Sequence, residues 1–267
     1  MVHFDDTPAA HARTRLAVDL AARFGAALIG ITGYSYVPSF LAGGSAAKAA
    51  QPDSDYQEML GALTDFGAKF RDLAKHARKV EWRGKLESAN DLVPREARAA
   101  DLIILGGAQD PADLFYSLHP DVVILRAGRP VLLVPAEISG LEARRVVVAW
   151  KDSREARRAV RDALPFLTQA HDVVIVTICE HGNEAEARKS IDDLAVYLQR
   201  HKVNVAAKAC LHTTQPVAGE LVRFAKNENS DLIVTGAYGR SRLGEWALGG
   251  VTHDLLWDSP LCCLLSH

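Results

Sequence analysis

Short apolar runs alternate with longer amphipathic stretches along the whole chain. In the first half, Val2 to Phe4, Ala27 to Thr32, Val80 to Trp82, Asp101 to Gly106 and Pro130 to Val134 read as strands. These runs are too short for helices and several end at Gly or polar residues. Between them, Pro8 to Phe24 carries Leu16, Leu20 and Phe24 on one stripe, and Tyr56 to Ala77 carries Tyr56, Leu60, Leu63, Phe66, Phe70 and Leu73 at helical spacing. A third helix is predicted around Leu92 to Ala99, and a short one before Pro130. Ser35 to Asp53, with Pro38, Gly43-Gly44-Ser45 and Pro52, reads as a long loop. Its Gly43 to Lys48 segment lacks the spacing of a phosphate loop and no strand leads into it.

The second half repeats this order. Strands are predicted at Val146 to Trp150, Val173 to Cys179, Val203 to Cys210, Asp231 to Thr235 and Leu261 to Leu265, with helices at Arg154 to Leu167, Ala185 to Arg200, Val217 to Asn227 and from Val251 to Ser259. Strands alternating with helices predict βαβ units and a parallel sheet. The halves also share sequence. D-L-I-I-L-G at Asp101 matches D-L-I-V-T-G at Asp231, and P-V-L-L-V at Pro130 matches P-L-C-C-L at Pro260, both offset by 130. F-D-D-T at Phe4 matches W-K-D-S at Trp150 with an offset of 146, so the first copy carries an insertion. Glu137 to Ala143 has no core pattern and reads as a linker.

The strongest chemical signal follows the Asp231 strand. Gly236 and Gly239 break it, and ten residues later Gly249 and Gly250 open a helix through Val251 and Thr252. Glycines without a Cβ let a backbone approach a ligand closely, and a helix start offers free N–H groups to an anion. The arrangement Gly236-x2-Gly239-x9-Gly249-x-Val251-Thr252 resembles the nucleotide-binding signature of the universal stress protein family. The resemblance covers essentially the whole chain as a tandem pair. It implies an α/β fold of two doubly wound domains, 1–136 and 144–267, each a five-stranded parallel sheet of order 3-2-1-4-5 flanked by helices, of the adenine nucleotide alpha-hydrolase-like kind.

The resemblance implies a ligand as well: ATP, alone or with Mg2+, on a regulatory stress-response module with little or no turnover. In a parallel sheet the crevice lies beyond the carboxyl ends of the strands. The candidate binding residues there are Ala149, Trp150, Lys151 and Asp152 after the first strand of the second copy and Thr177 and Ile178 after its second. From the glycine stretch come Thr235, Gly236, Gly239, Arg240, Arg242, Gly249, Gly250, Val251 and Thr252. The two arginines are suited to phosphate charge. Two positions depart from the family pattern: Gly250 stands where a Ser or Thr is usual, and Lys151 where an Asp is usual. In the first copy Gln109, His119 and Pro120 stand at the positions of Gly239, Gly249 and Gly250, so that crevice is expected to lack a triphosphate site, although Asp5 keeps the acidic position. Two other readings stay open: an adenine-nucleotide-dependent enzyme using His253 or Asp152 as base, and an interaction scaffold whose nucleotide site is residual because of Gly250 and Lys151.

Composition narrows the classes. With 267 residues, 48% hydrophobic content, a net charge of −2 and a pI near 6.6, the chain can fill two cores and has no broad basic field, which argues against nucleic acid as partner. No apolar run approaches the roughly 20 residues of a membrane span, and M-V-H-F-D-D does not read as a signal peptide. A cytoplasmic protein is expected, with an adenine nucleotide and an unidentified protein as partners. The four cysteines, Cys179, Cys210, Cys262 and Cys263, show no C-x-x-C and read as reduced, buried thiols. The apolar closing strands are expected to pair the two copies as an intramolecular pseudo-dimer, with a homodimer as a further possibility. No metal-ligand spacing occurs among the ten histidines.

Overall fold

The computed structural model describes residues 1–35, 52–107, 118–179, 182–211, 216–239 and 250–267. The first half runs β1 (Val2–His3), α1 (Pro8–Phe24), β2 (Leu28–Gly33), α2 (Pro52–Leu73), β3 (Val80–Lys85), α3 (Ala89–Glu96), β4 (Ile103–Gly106), α4 (Pro120–Arg126) and β5 (Val131–Val134). The second runs β6 (Arg145–Ala149), α5 (Arg154–Asp162), α6 (Leu164–Leu167), β7 (Asp172–Ile178), α7 (Glu184–Arg200), β8 (Val205–Leu211), α8 (Val217–Asn227), β9 (Leu232–Gly236), α9 (Gly250–Asp258) and β10 (Cys262–Ser266).

Among the described residues these strands form one ten-stranded sheet in the order β3-β2-β1-β4-β5-β10-β9-β6-β7-β8. Each half is internally parallel with the expected 3-2-1-4-5 order, and the halves meet where β5 and β10 pair antiparallel, Leu132 opposite Leu264 and Leu133 opposite Cys263. Two closing strands that would otherwise be apolar edges cover one another. The two expected five-stranded sheets thus join through their closing strands, as the pseudo-dimer expectation has it, into one continuous sheet. Phe24 of α1 and Phe166 of α6 pack edge to face across the same junction, ring centroids 5.0 Å apart.

Strand alternation builds the two faces. Val146 and Val148 join a core with Leu16, Phe70, Val160 and Leu198 from α1, α2, α5 and α7. Val147 and Ala149 point the other way, into a core with Leu92, Val123, Leu221 and Leu255 from α3, α4, α8 and α9. A sheet covered on both sides explains why its strands read as continuous apolar runs. Each fully buried Val or Leu contributes about 1.5–3 kcal/mol.

The N-caps locate the repeat in three dimensions. Thr7 accepts from the Ala10 N–H and Ser153 from the Ala156 N–H, so the 146 offset places the same hydroxyl cap at the start of α1 and α5. The helix expected over Arg154 to Leu167 is broken at Ala163 into α5 and α6. Pro165 has no N–H to continue the helical ladder, and its ring crowds the preceding turn. The first strand is two residues long, as short as its sequence suggested, and Phe4 continues the pairing by donating its N–H to the Ile31 carbonyl at 2.9 Å.

One expectation is overturned. Cys179 and Cys210 are joined in a disulfide with Cα atoms 6.2 Å apart, rather than standing as free thiols. β7 and β8 are neighbours with Thr177 opposite Cys210, which brings Cys179, just past the end of β7, diagonally onto Cys210. Linear spacing of 31 residues gives no hint of this, because only strand pairing sets the register. Cys262 and Cys263 are free and buried, and burial pushes their thiols up to about 12 and about 11.

Candidate functional site

The carboxyl ends of β6, β7 and β9 lie side by side. Ala149 is in register with Val176 on one flank and Thr235 on the other. From here α5 leaves toward one face of the sheet and α9 lies on the other, so the chain diverges at the point where open parallel sheets hold ligands.

Gly236 ends β9 beneath the first turn of α5. A Cβ there would stand 2.5 Å from the Ala156 nitrogen and 2.6 Å from the Glu155 carbonyl carbon, closer than atoms tolerate. The close approach expected at this glycine is thus taken up by α5 itself. Gly239 is exposed, and its Cβ would meet the Glu155 carboxylate, Oε2, at 3.2 Å and Ser153 Oγ at 3.9 Å. Between them Tyr238 adopts a left-handed backbone, φ +55°, and donates its N–H to Thr252 Oγ1 at 3.3 Å. The buried Thr252 hydroxyl therefore clamps the glycine turn to the first turns of α9, a role the sequence reading did not include. Gly250 is exposed, and among the described residues beyond its own helix no heavy atom lies within 4 Å of its Cβ position; Val251 is half-buried. Arg240, Arg242 and Gly249 lie outside the described residues.

The β6 end is split between two faces. Trp150 turns away from Ala149, and its indole N–H donates to Ser190 Oγ on α7 at 2.7 Å. It floors a cavity of about 560 Å³ between α5 and α7, with Val160 and Leu194 as further apolar lining and Arg161 and Lys189 among its cations. Strand alternation carries the signal that Ala149 and Trp150 face opposite sides. Lys151 is exposed, and the exposed Asp152 pairs with Arg157. Thr177 is buried, Ile178 half-buried, and Thr235 donates its hydroxyl to the Gly236 carbonyl at 3.2 Å.

Glu155 is the group sequence reasoning missed. It is 4% exposed, and Arg154 holds its Oε1 at 2.9 Å. Burial alone would raise its pKa, but its own backbone N–H, Arg154 and Ser153 together hold it below the usual carboxylate range, so the group is charged. In sequence it is only an acid two residues after the Ser153 cap; the packing of β9 against that turn sets it apart.

The first half is built differently at the matching place. Arg13, 3% exposed, reaches back from α1 and donates from Nε and Nη2 to the His3 carbonyl at 3.2 and 3.0 Å. Its Nη1 lies 2.7 Å from where a Cβ on Gly106 would stand. Asp5 accepts from the Thr7 hydroxyl at 2.8 Å and lies 3.8 Å from Arg13. Burial pushes His3 down to about 4, against the opposing pull of Asp5. The His119 backbone N–H donates to Asn90 Oδ1 at 2.7 Å, and Pro120 opens α4 without a donor. Gln109 lies outside the described residues. Among the described residues no group of three or more His, Cys, Asp or Glu side chains could hold a metal, and no helix is long and apolar enough to cross a membrane.

Residues 142–266 match the model of the Universal stress protein family. Over its length the chain is similar to the solved structure of a universal stress protein from Archaeoglobus fulgidus DSM 4304, with TM-score 0.74, 14% identity, and coverage of 100% of this chain and 97% of that one. It is also similar to a putative universal stress protein from Pseudomonas aeruginosa UCBPP-PA14, with TM-score 0.58, 15% identity and coverage of 99% and 92%. A functionally unknown protein from Pseudomonas aeruginosa PAO1 has TM-score 0.58, 13% identity and coverage of 99% and 91%. No curated protein sequence matches the chain. The fold is thus that of an α/β protein with a largely parallel sheet between two helical layers, in a tandem arrangement. The second half of the chain, residues 142–266, is thus a domain of the universal stress protein family.

Proposed function

We propose that the chain is a nucleotide-responsive regulatory protein that takes one adenine nucleotide, in the crevice of its second half. The observation that carries this reading is the pinned glycine turn: Tyr238 N–H on Thr252 Oγ1 holds Gly236 to Gly239 against the first turns of α9, at the divergence of β6 and β9. A turn held beside a helix start favours anions through free N–H groups and the helix dipole. Ala149 and Ile178, from the ends of β6 and β7, supply apolar surface for a base, and the exposed Lys151 supplies a cation. In the first half Arg13 fills the space over Gly106, and Asp5 is engaged by Thr7 and Arg13. That half contributes packing and leaves the ligand to its partner.

Calorimetry with ATP tests the reading. One site per chain, with phosphate release far slower than ligand exchange, supports it. Two equivalent sites would contradict the division between halves, rapid phosphate or AMP release would favour an enzyme, and no binding of any adenine nucleotide would leave a scaffold.

A further inference from the structure

Two features of the second crevice pull against each other. The glycine turn and α9 offer a place for an anion, yet the Glu155 carboxylate lies 3.2 Å from the Cβ position of Gly239 and Ser153 Oγ is the next neighbour at 3.9 Å. The face of the turn at Gly239 is therefore already met by an anion of the chain itself. Glu155 is buried and salt-bridged to the mostly exposed Arg154, whose side chain is 62% exposed. The first half carries Ala9 at the matching position, two residues after the Thr7 cap, and brings a cation, Arg13, against Gly106 instead. The helix cap does not require an acid there, because Ser153 caps α5 as Thr7 caps α1.

We propose that Glu155 is an anion gate on the glycine turn: it sets the charge of the ligand this crevice accepts, disfavouring phosphate against Gly239 while leaving a nucleoside unaffected. The proposal rests on the nucleotide reading above and refines it. A phosphate reaching Gly239 meets a fixed negative charge in a partly buried setting, where like charges repel far more strongly than in water. It enters only when Arg154 leaves Glu155 for the phosphate or when the carboxylate swings away. The crevice consequently holds polyphosphate more weakly than its glycine signature implies, and adenosine and ATP compete on nearer terms.

The test compares ATP and adenosine binding to the full chain, to Glu155→Gln and to Glu155→Ala. Gln keeps the volume and removes the charge. Ala reproduces the residue the first half already tolerates at Ala9, so it serves should Gln disturb the fold. Both variants are expected to bind ATP at least tenfold more tightly than the parent, with adenosine affinity within twofold. Unchanged ATP affinity in both variants, with ATP or adenosine binding measurable, would overturn the gate and leave the nucleotide reading intact. A gain with Ala and none with folded Gln would make the effect steric and also overturn it. Neither ligand binding to any of the three proteins would remove the nucleotide reading and the gate with it.

Discussion

Gly236 and Ala156 are in direct contact across the junction of β9 and α5: a Cβ on Gly236 would fall 2.5 Å from the Ala156 backbone nitrogen. The obstacle is backbone on both sides, so no rotamer change relieves it. Gly236→Ala should lose about 1–3 kcal/mol of stability, the range for overpacking a close-packed site. Gly239→Ala should lose less, because among the described residues its Cβ meets side-chain ends, Glu155 Oε2 at 3.2 Å and Ser153 Oγ at 3.9 Å, and no backbone. Denaturant titration of both variants without ligand checks the order. Equal losses would show that α5 can move off β9.

Much of this architecture was legible in the sequence, because the inner strands are buried on two faces, the edge strands β3 and β8 being more exposed, and the helices bury one face. The 130 and 146 offsets announced the repeat, and the apolar closing strands announced the β5–β10 seam. What escaped has a physical reason in each case. The Cys179–Cys210 bond depends on strand register, which the alternation of elements does not specify. Trp150 sits one residue after Ala149, and only the pleat separates them into different faces. Glu155 looks like any first-turn acid until β9 is laid beneath it, and Gly236 looks like a ligand glycine until α5 is placed above it. Apolar periodicity reports burial against the sheet; contacts at the ends of strands are set by loops and caps that carry no period.

The disulfide should be a measurable part of the stability. It closes a loop of sequence separation 31, for which the chain-entropy model gives roughly 3–4 kcal/mol. Cys179→Ser with Cys210→Ser should lower the denaturation midpoint, and thiol labelling of the unreduced, denatured parent should find two thiols, Cys262 and Cys263, rising to four after reduction. Four thiols before reduction would show that the bond is not formed in the isolated protein.

Acid should destabilise the first half before the second. His3 is buried with its pKa at about 4, against 6.5 for the free side chain. As pH falls below about 6.5 the unfolded chain takes up this proton while the folded chain does not, so stability drops between about pH 6.5 and 4 and levels off below. The drop is on the order of 3 kcal/mol from that shift. Asp5, held below the ordinary carboxylate range by His3 and Arg13 against the effect of burial, adds a loss in the same direction at still lower pH. Denaturation midpoints at pH 7 and pH 5 should differ in the parent and converge in His3→Asn. An unchanged difference in that variant would assign the pH dependence to other groups.

The last prediction separates a phosphate cradle from a turn. Gly250 opens α9, is exposed, and among the described residues beyond its own helix has no heavy atom within 4 Å of its Cβ position, so Gly250→Ser has room there and should leave the ligand-free melting temperature close to that of the parent. Ser also costs a helix no more than Gly does. On the proposed function it places a hydroxyl beside the N–H groups that face the ligand and should tighten ATP by at most about 1–2 kcal/mol, or up to roughly thirtyfold. The same substitution should leave adenosine affinity unchanged, since the added hydroxyl serves only the phosphates. Calorimetry with both ligands reads the difference. A folded Gly250→Ser protein that binds ATP no better than the parent would mean that the start of α9 does not touch phosphate, and the glycine turn would then be explained by α5 and Thr252 alone.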